Sequence, residues 1–81
     1  MILIDVLVPV TGRTYDFTVE ENAPVRDVTE EIVGLIVRRE GYGEQTDSGM
    51  HLFSHEKRMQ LNQGKTLFEN GVRNGDKLIL V

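Results

Sequence analysis

The sequence predicts an α+β domain, a mixed sheet with one helix laid across one face. Three observations predict it. Residues 2 to 8 and 14 to 19 alternate apolar and polar side chains on either side of a Thr-Gly pair, residues 23 to 41 carry apolar side chains at helical spacing, and the chain closes on an apolar run behind an Asn-Gly turn. At 81 residues there is room for one domain, 1–81, near the size at which burial only just outweighs chain entropy.

The first two strands are joined by "PVTGR", whose Thr11-Gly12 pair suits a tight hairpin turn. With those two residues at the turn, Val8 is expected opposite Tyr15, Val6 opposite Phe17 and Ile4 opposite Val19, so one face is apolar on both strands. Asp5 with Thr18 and Leu7 with Asp16 make the other, outer face. Pro9 lies beside the turn, where a missing ladder donor matters least.

In the helical segment, Val25, Val28, Ile32, Leu35 and Ile36 make the expected core stripe. Asp27, Glu30 and Glu31 early, Arg38 and Arg39 in the last turn and Gly41 just beyond match the helix dipole and its stop signals, so the charges read as a solvated face. Val33 and Val37 fall away from that stripe and mark either a second contact surface or the seat of a covering loop. No reason is evident for Gly34, which disfavours a helix interior by roughly 1 kcal/mol relative to alanine.

"GYGEQTDSG", residues 41 to 49, has three glycines and no periodicity and reads as a mobile connector. "MHLFSH" reads as a third strand, "RMQL" as a very short fourth and "KLILV" as a fifth, with Leu67 and Val72 of the irregular turn "GKTLFENGV" tucked under the sheet. Met1, Met50 and Met59 read as gap-filling core or terminus residues.

Composition removes several function classes. Without cysteine there is no disulfide, thiolate zinc site, iron–sulfur cluster or cysteine nucleophile. The net charge of −4 repels phosphate backbones and anionic lipid heads, so neither nucleic acid nor a membrane surface is an expected partner. "MILIDVLVPV" contains Asp5 and Pro9, lacks a basic flank and is too short to span a bilayer or to serve as a secretory signal, which leads to a cytoplasmic expectation without membrane insertion.

No catalytic, cofactor or metal site is expected. On a strand, His51 and His55 stand about 13 Å apart, too far to share one ion. Ser48, Ser54, His51, His55 and Asp47 cluster in sequence, but Ser54 and His55 project to opposite faces and a domain this small encloses little cavity. The acids of "RTYDFTVEENAP" lack the alternating ligand loop of a calcium site, and "GYG" and "NGVRNG" lack the features of a phosphate loop.

Taken together, the hairpin, a helix opened by "PVRDV", the strand "MHLF", the turn segment "KTLFENGVRNGD" and the final strand "KLILV" resemble the ubiquitin-like β-grasp fold along essentially the whole chain. Within that fold the chain is similar to the YukD/EsaB family, small bacterial ubiquitin-like proteins associated with type VII secretion, in its size, in the Pro24-Val25 entry to the helix and in ending directly on the last strand. The resemblance implies a parallel central pairing of the first and last strands, flanked by the hairpin strand and the "MHLF" strand.

Side-chain facing follows from the residues themselves. Lys77 does not enter a small core unpaired, so its parity points to water, and with it Ile79 and Val81; Leu78 and Leu80 go inward. By the same test Met50 and Leu52 face in, while His51, Phe53 and His55 face out, and Leu3 and Leu7 face out with Asp5. Placed in the implied topology, Leu3, Leu7, Ile79, Val81 and Phe53 lie on the helix-free face and are the expected partner-binding residues, with Phe53 the best anchor. The family implies a binding adaptor, an accessory or regulator acting with components of the secretion machinery. Self-association into a homo-oligomer through the same residues, and unremarkable surface, are the other readings.

Ubiquitin and the sulfur carriers of its fold work through an extended tail ending in Gly-Gly. This sequence ends at Val81, so conjugation is not expected unless the chain is a truncated modifier or sulfur carrier, which an intact mass of the full gene product would reveal.

Overall fold

Period-two alternation makes the first two strands. In a computed structural model that describes residues 1–41 and 49–81, β1 runs over Ile2–Val8 and β2 over Arg13–Val19, followed by α1 over Val25–Glu40, β3 over Leu52–Ser54, β4 over Met59–Gln60 and β5 over Lys77–Leu80. The five strands form one sheet in the order β2-β1-β5-β3-β4. The central β1–β5 pair is parallel and the other pairs are antiparallel, so the sheet is mixed and the α+β expectation holds. The connector reading of residues 41 to 49 concerns a segment that lies mostly outside the described residues.

The hairpin has the expected faces but not the expected pairs. Val8 pairs with Arg13, Val6 with Tyr15, Ile4 with Phe17 and Ile2 with Val19, a register two residues away from the one the Thr11-Gly12 turn predicts. The turn is wider: the Thr11 and Gly12 amides both donate to the Val8 carbonyl at 3.0 Å, as does the Thr11 hydroxyl at 3.1 Å. Gly12 takes φ 71°, the left-handed backbone that glycine adopts without steric penalty. A shift of two preserves parity. Ile4, Val6, Val8, Tyr15, Phe17 and Val19 therefore still face the core, but Asp5 now stands opposite Asp16 and Leu7 opposite Thr14.

The helix buries Val25, Val28, Thr29, Ile32, Val33 and Ile36. This corrects two expectations. Leu35 is 39% exposed and outside the core, whereas Val33 is buried and Val37 packs against the core, so neither valine marks a second contact surface. Thr29 explains the rotation of the stripe: its hydroxyl donates to the Val25 carbonyl at 2.8 Å, which lets a polar residue be buried on the Val33 flank. Pro24 offers no side-chain cap. The Val25 amide instead donates to the Lys65 carbonyl at 2.8 Å and the Arg26 amide to the Gln63 carbonyl at 3.3 Å, so a distant loop satisfies donors that open the helix. Gly41 ends it at φ 73°, its amide bonding the Val37 carbonyl.

Leu52, Leu78 and Leu80 complete the sheet side of the core, and Leu61, Leu67 and Val72 are buried in the same cluster. Met50 packs against this core, but Met1 and Met59 are 75% and 56% exposed. Met59 belongs to a two-residue edge strand, which corrects its core reading. The segment feeding β5 is better ordered than an irregular turn. The Thr66 hydroxyl accepts from the Glu69 amide at 3.0 Å while Glu69 Oε1 accepts from the Thr66 amide at 2.9 Å, a reciprocal capping box. The Asn70 side chain bonds Asn62 through both its oxygen and its nitrogen.

Candidate docking face

Strand register arranges the helix-free face into rows. Thr14, Leu7, Ile79, Phe53 and Gln60 are successive partners from β2 to β4. The neighbouring row is Asp16, Asp5 and Lys77 by the same pairings, extended to His55 by its amide, which donates to the Lys77 carbonyl at 3.1 Å. On the other side, His51 and Val81 exchange backbone hydrogen bonds of 2.6 and 3.0 Å, which carries the β3–β5 ladder one residue past both strands.

Four of the expected residues are brought together. Phe53 and Ile79 face each other across β3 and β5, Leu7 faces Ile79 across β1 and β5, and Val81 follows Ile79 two residues along on the same side. Leu7 and Val81 are exposed, and Phe53 and Ile79 are half-buried by one another and their neighbours. Two shallow hollows flank Ile79. The larger, about 460 Å³, is lined by Phe53, Ser54, His55, Arg58, Ile79 and Val81; the smaller, about 240 Å³, is lined in part by Asp5, Leu7, Thr14, His55 and Lys77.

Leu3 is not part of this group. It is exposed on the same face, but the row containing Asp5 and Lys77 lies between it and Leu7. Its backbone is fixed there by the Asn74 side chain, which accepts from the Leu3 amide at 2.9 Å, and by the Gly75 amide, which donates to the Leu3 carbonyl at 2.7 Å.

The charged row has a definite polarity. Asp5 and Asp16 occupy the β1–β2 side, Lys77 and His55 the β5–β3 side. Hydrogen bonding with Asp5, and then its negative charge, raise the Asp16 pKa above the ordinary carboxylate value. Among the described residues the ion pairs are Met1 ammonium with Glu21 and Arg13 with Glu40, so neither Lys77 nor Arg58 forms one. Arg58 holds φ 55°, the left-handed region that few side chains other than glycine and asparagine enter.

Sequence reasoning passed over Arg58, because the turn carries no glycine or asparagine at that position, and it passed over the apposition of Asp5 and Asp16, because it misplaced the hairpin register. It also left Phe68 unassigned; this side chain is 52% exposed, with the Arg73 guanidinium 4.4 Å from its ring centroid.

Ser54 is buried and its hydroxyl accepts from the Lys57 amide at 3.0 Å, while His55 is exposed on the opposite face, and His51 Nδ1 lies 2.7 Å from Gln63 Nε2. Asp47 and Ser48 lie outside the described residues. Among the described residues no three His, Cys, Asp or Glu side chains are grouped to hold a metal ion, and no helix is long and apolar enough to cross a membrane.

Solved structures share this architecture. The ubiquitin of Caldiarchaeum subterraneum superposes with a TM-score of 0.72 at 25% identity, over 98% of this chain and 89% of that one. A ubiquitin-like domain of an Arabidopsis thaliana protein superposes with a TM-score of 0.73 at 17% identity, over 99% of this chain and 74% of that one. A comparison with curated proteins finds no match. Residues 3–80 match the sequence family described as "WXG100 protein secretion system (Wss), protein YukD". With its mixed sheet, one helix across the described residues and a family match across nearly its whole length, the chain belongs to the YukD family of ubiquitin-like proteins linked to the Wss, or type VII, secretion system.

Proposed function

We propose that this YukD-family protein is a binding adaptor that regulates or assists the Wss machinery from the cytoplasmic side, engaging a protein component of that machinery noncovalently through its helix-free sheet face. The single observation that carries the reading is the grouping of Leu7, Ile79, Phe53 and Val81 across three neighbouring strands on the side of the sheet opposite the helix. Contiguous apolar surface of this kind marks interaction sites more often than scattered exposed residues do.

Phe53 is its natural anchor. It is aromatic, lies on the short strand between β5 and the edge, and lines the larger hollow with Ile79. Leu3 stands at the periphery. The test is the double variant Phe53→Ala with Ile79→Ser, titrated against the purified cytoplasmic domains of the Wss machinery. Loss of a true anchor weakens binding by about 2 kcal/mol or more, roughly thirtyfold. Native circular dichroism together with undiminished affinity would overturn the proposal.

A further inference from the structure

Resting on the reading of the sheet face as a docking surface, we infer that the face is self-complementary and pairs two copies of this chain face to face, about a two-fold axis running along the strands between β1 and β5. Such an axis lays the β5 of one copy over the β1 of the other, and β3 over β2, because the sheet order places β2 and β3 at equal distances on either side of the central pair.

The register then dictates which side chains meet. In the charged row, Lys77 of each copy is set over Asp5 of the other, and His55 over Asp16. In the apolar row, Ile79 is set over Leu7, and Phe53 over Thr14. Acids occupy one half of the row and basic side chains the other, so a rotation that exchanges the halves sets each acid against a basic side chain and Lys77 against the opposite charge of Asp5.

Two features of the single chain fit this arrangement. Asp5 and Asp16 are directly opposed on neighbouring strands, where like charges disfavour pairing. Lys77 lies beside Asp5 in register, yet they form no ion pair, although the chain makes ion pairs elsewhere. A second copy supplies a cation for the acidic pair and a carboxylate for the lysine at once. Contacts next to the axis, Lys77 with Asp5 and Ile79 with Leu7, are least disturbed by the angle of about 30° at which aligned sheets pack.

The area is small. The face spans a few residues on each of four strands, at the low end of interfaces between folded proteins, so the dimer is weak and dissociates on dilution. Because it covers Phe53, Ile79 and Leu7, it competes with any other protein for the same face, and self-pairing sets how much of the adaptor is open to its partner.

Charge reversal tests the geometry. In wild-type protein at low salt, sedimentation equilibrium from about 20 μM to about 1 mM, the range for a weak interface, should show monomer passing into dimer. Amide shifts that move with concentration should centre on Leu7, Thr14, Phe53, His55, Lys77 and Ile79. Lys77→Glu alone and Asp5→Lys alone each juxtapose like charges twice across the axis and should weaken self-association by about tenfold or more. An equimolar mixture of the two places Glu against Lys at one contact and Asp against Lys at the other, and should restore a dimer containing one of each.

A wild-type protein that stays monomeric throughout, or a mixture that dimerises no better than its components, overturns the inference. The wild-type measurement stands even where a variant fails to fold. Loss of partner binding by the Phe53→Ala, Ile79→Ser variant, read below the dimer range, belongs to the docking proposal alone and persists if the dimer does not exist.

Discussion

Tyr15 joins three parts of the molecule that the apolar pattern alone does not connect. Its hydroxyl lies 2.7 Å from Glu40 Oε2 and 3.1 Å from the Thr11 hydroxyl, so the hairpin turn, β2 and the end of the helix meet at one phenol. Burial pushes its pKa up, and Glu40 adds to the rise while Thr11 opposes it. Replacing Tyr15 by phenylalanine keeps the ring in the core and removes only the hydrogen bonds. The expected loss is about 1 kcal/mol, read as a lower urea midpoint with an unchanged slope. Leu67 and Phe68 are neighbours with opposite fates, one fully buried and the other 52% exposed. Leu67→Ala should destabilise by about 2–5 kcal/mol and Phe68→Ala by about 0.5 kcal/mol or less, a contrast checked in the same unfolding experiment.

At the scale of elements, the β1–β2 pairing carries a built-in opposition that depends on pH. The Asp16 pKa is raised in the folded state, first through hydrogen bonding with Asp5 and then through its charge. A raised carboxyl pKa favours folding fully below the ordinary value of 3.8, and that contribution is lost as pH rises through the folded value. Asp16→Asn should therefore be more stable than the wild type at neutral pH, and its advantage should shrink as pH falls toward 3.8. Taking the difference between the two proteins cancels Glu21, whose pKa is lowered, first by a backbone hydrogen bond and then by the Met1 ammonium, and which acts in the opposite sense. The segment before β5 offers a second test. Thr66→Ala removes the hydroxyl half of the capping box and should lower stability by about 1 kcal/mol, measured by thermal or urea unfolding.

Much of this was legible in the residues, for reasons that differ between elements. The outward parity of Ile79 and the inward parity of Leu78 follow from one lysine that has to reach water, and they hold. The capping box was present as Thr-Leu-Phe-Glu in residues 66 to 69 and was available to a reader of helix-start signals. The hairpin register was not, because Thr11-Gly12 suits a two-residue turn as well as the last half of the wider one that forms. Val33 and Leu35 sit on opposite flanks of the helical stripe, and the choice between them depends on packing with residues far away in sequence.

For the whole molecule, the parallel pairing of β1 with β5 decides what the surface can do. It joins residues more than seventy positions apart and sets Asp5 beside Lys77, which puts a charged row between Leu3 and the other four apolar residues. No local pattern reports that register; the resemblance to the ubiquitin-like fold implied the pairing but not its residue-level alignment. The same pairing builds the apolar row on which the proposed adaptor role rests. The most direct test is a titration of isotope-labelled protein with the cytoplasmic domains of the Wss machinery, followed by amide chemical shifts. Perturbations concentrated at Leu7, Phe53, Ile79 and Val81 are the predicted result. Perturbations confined to the solvent side of the helix, around Glu30, Glu31 and Leu35, with the sheet face silent, would contradict it.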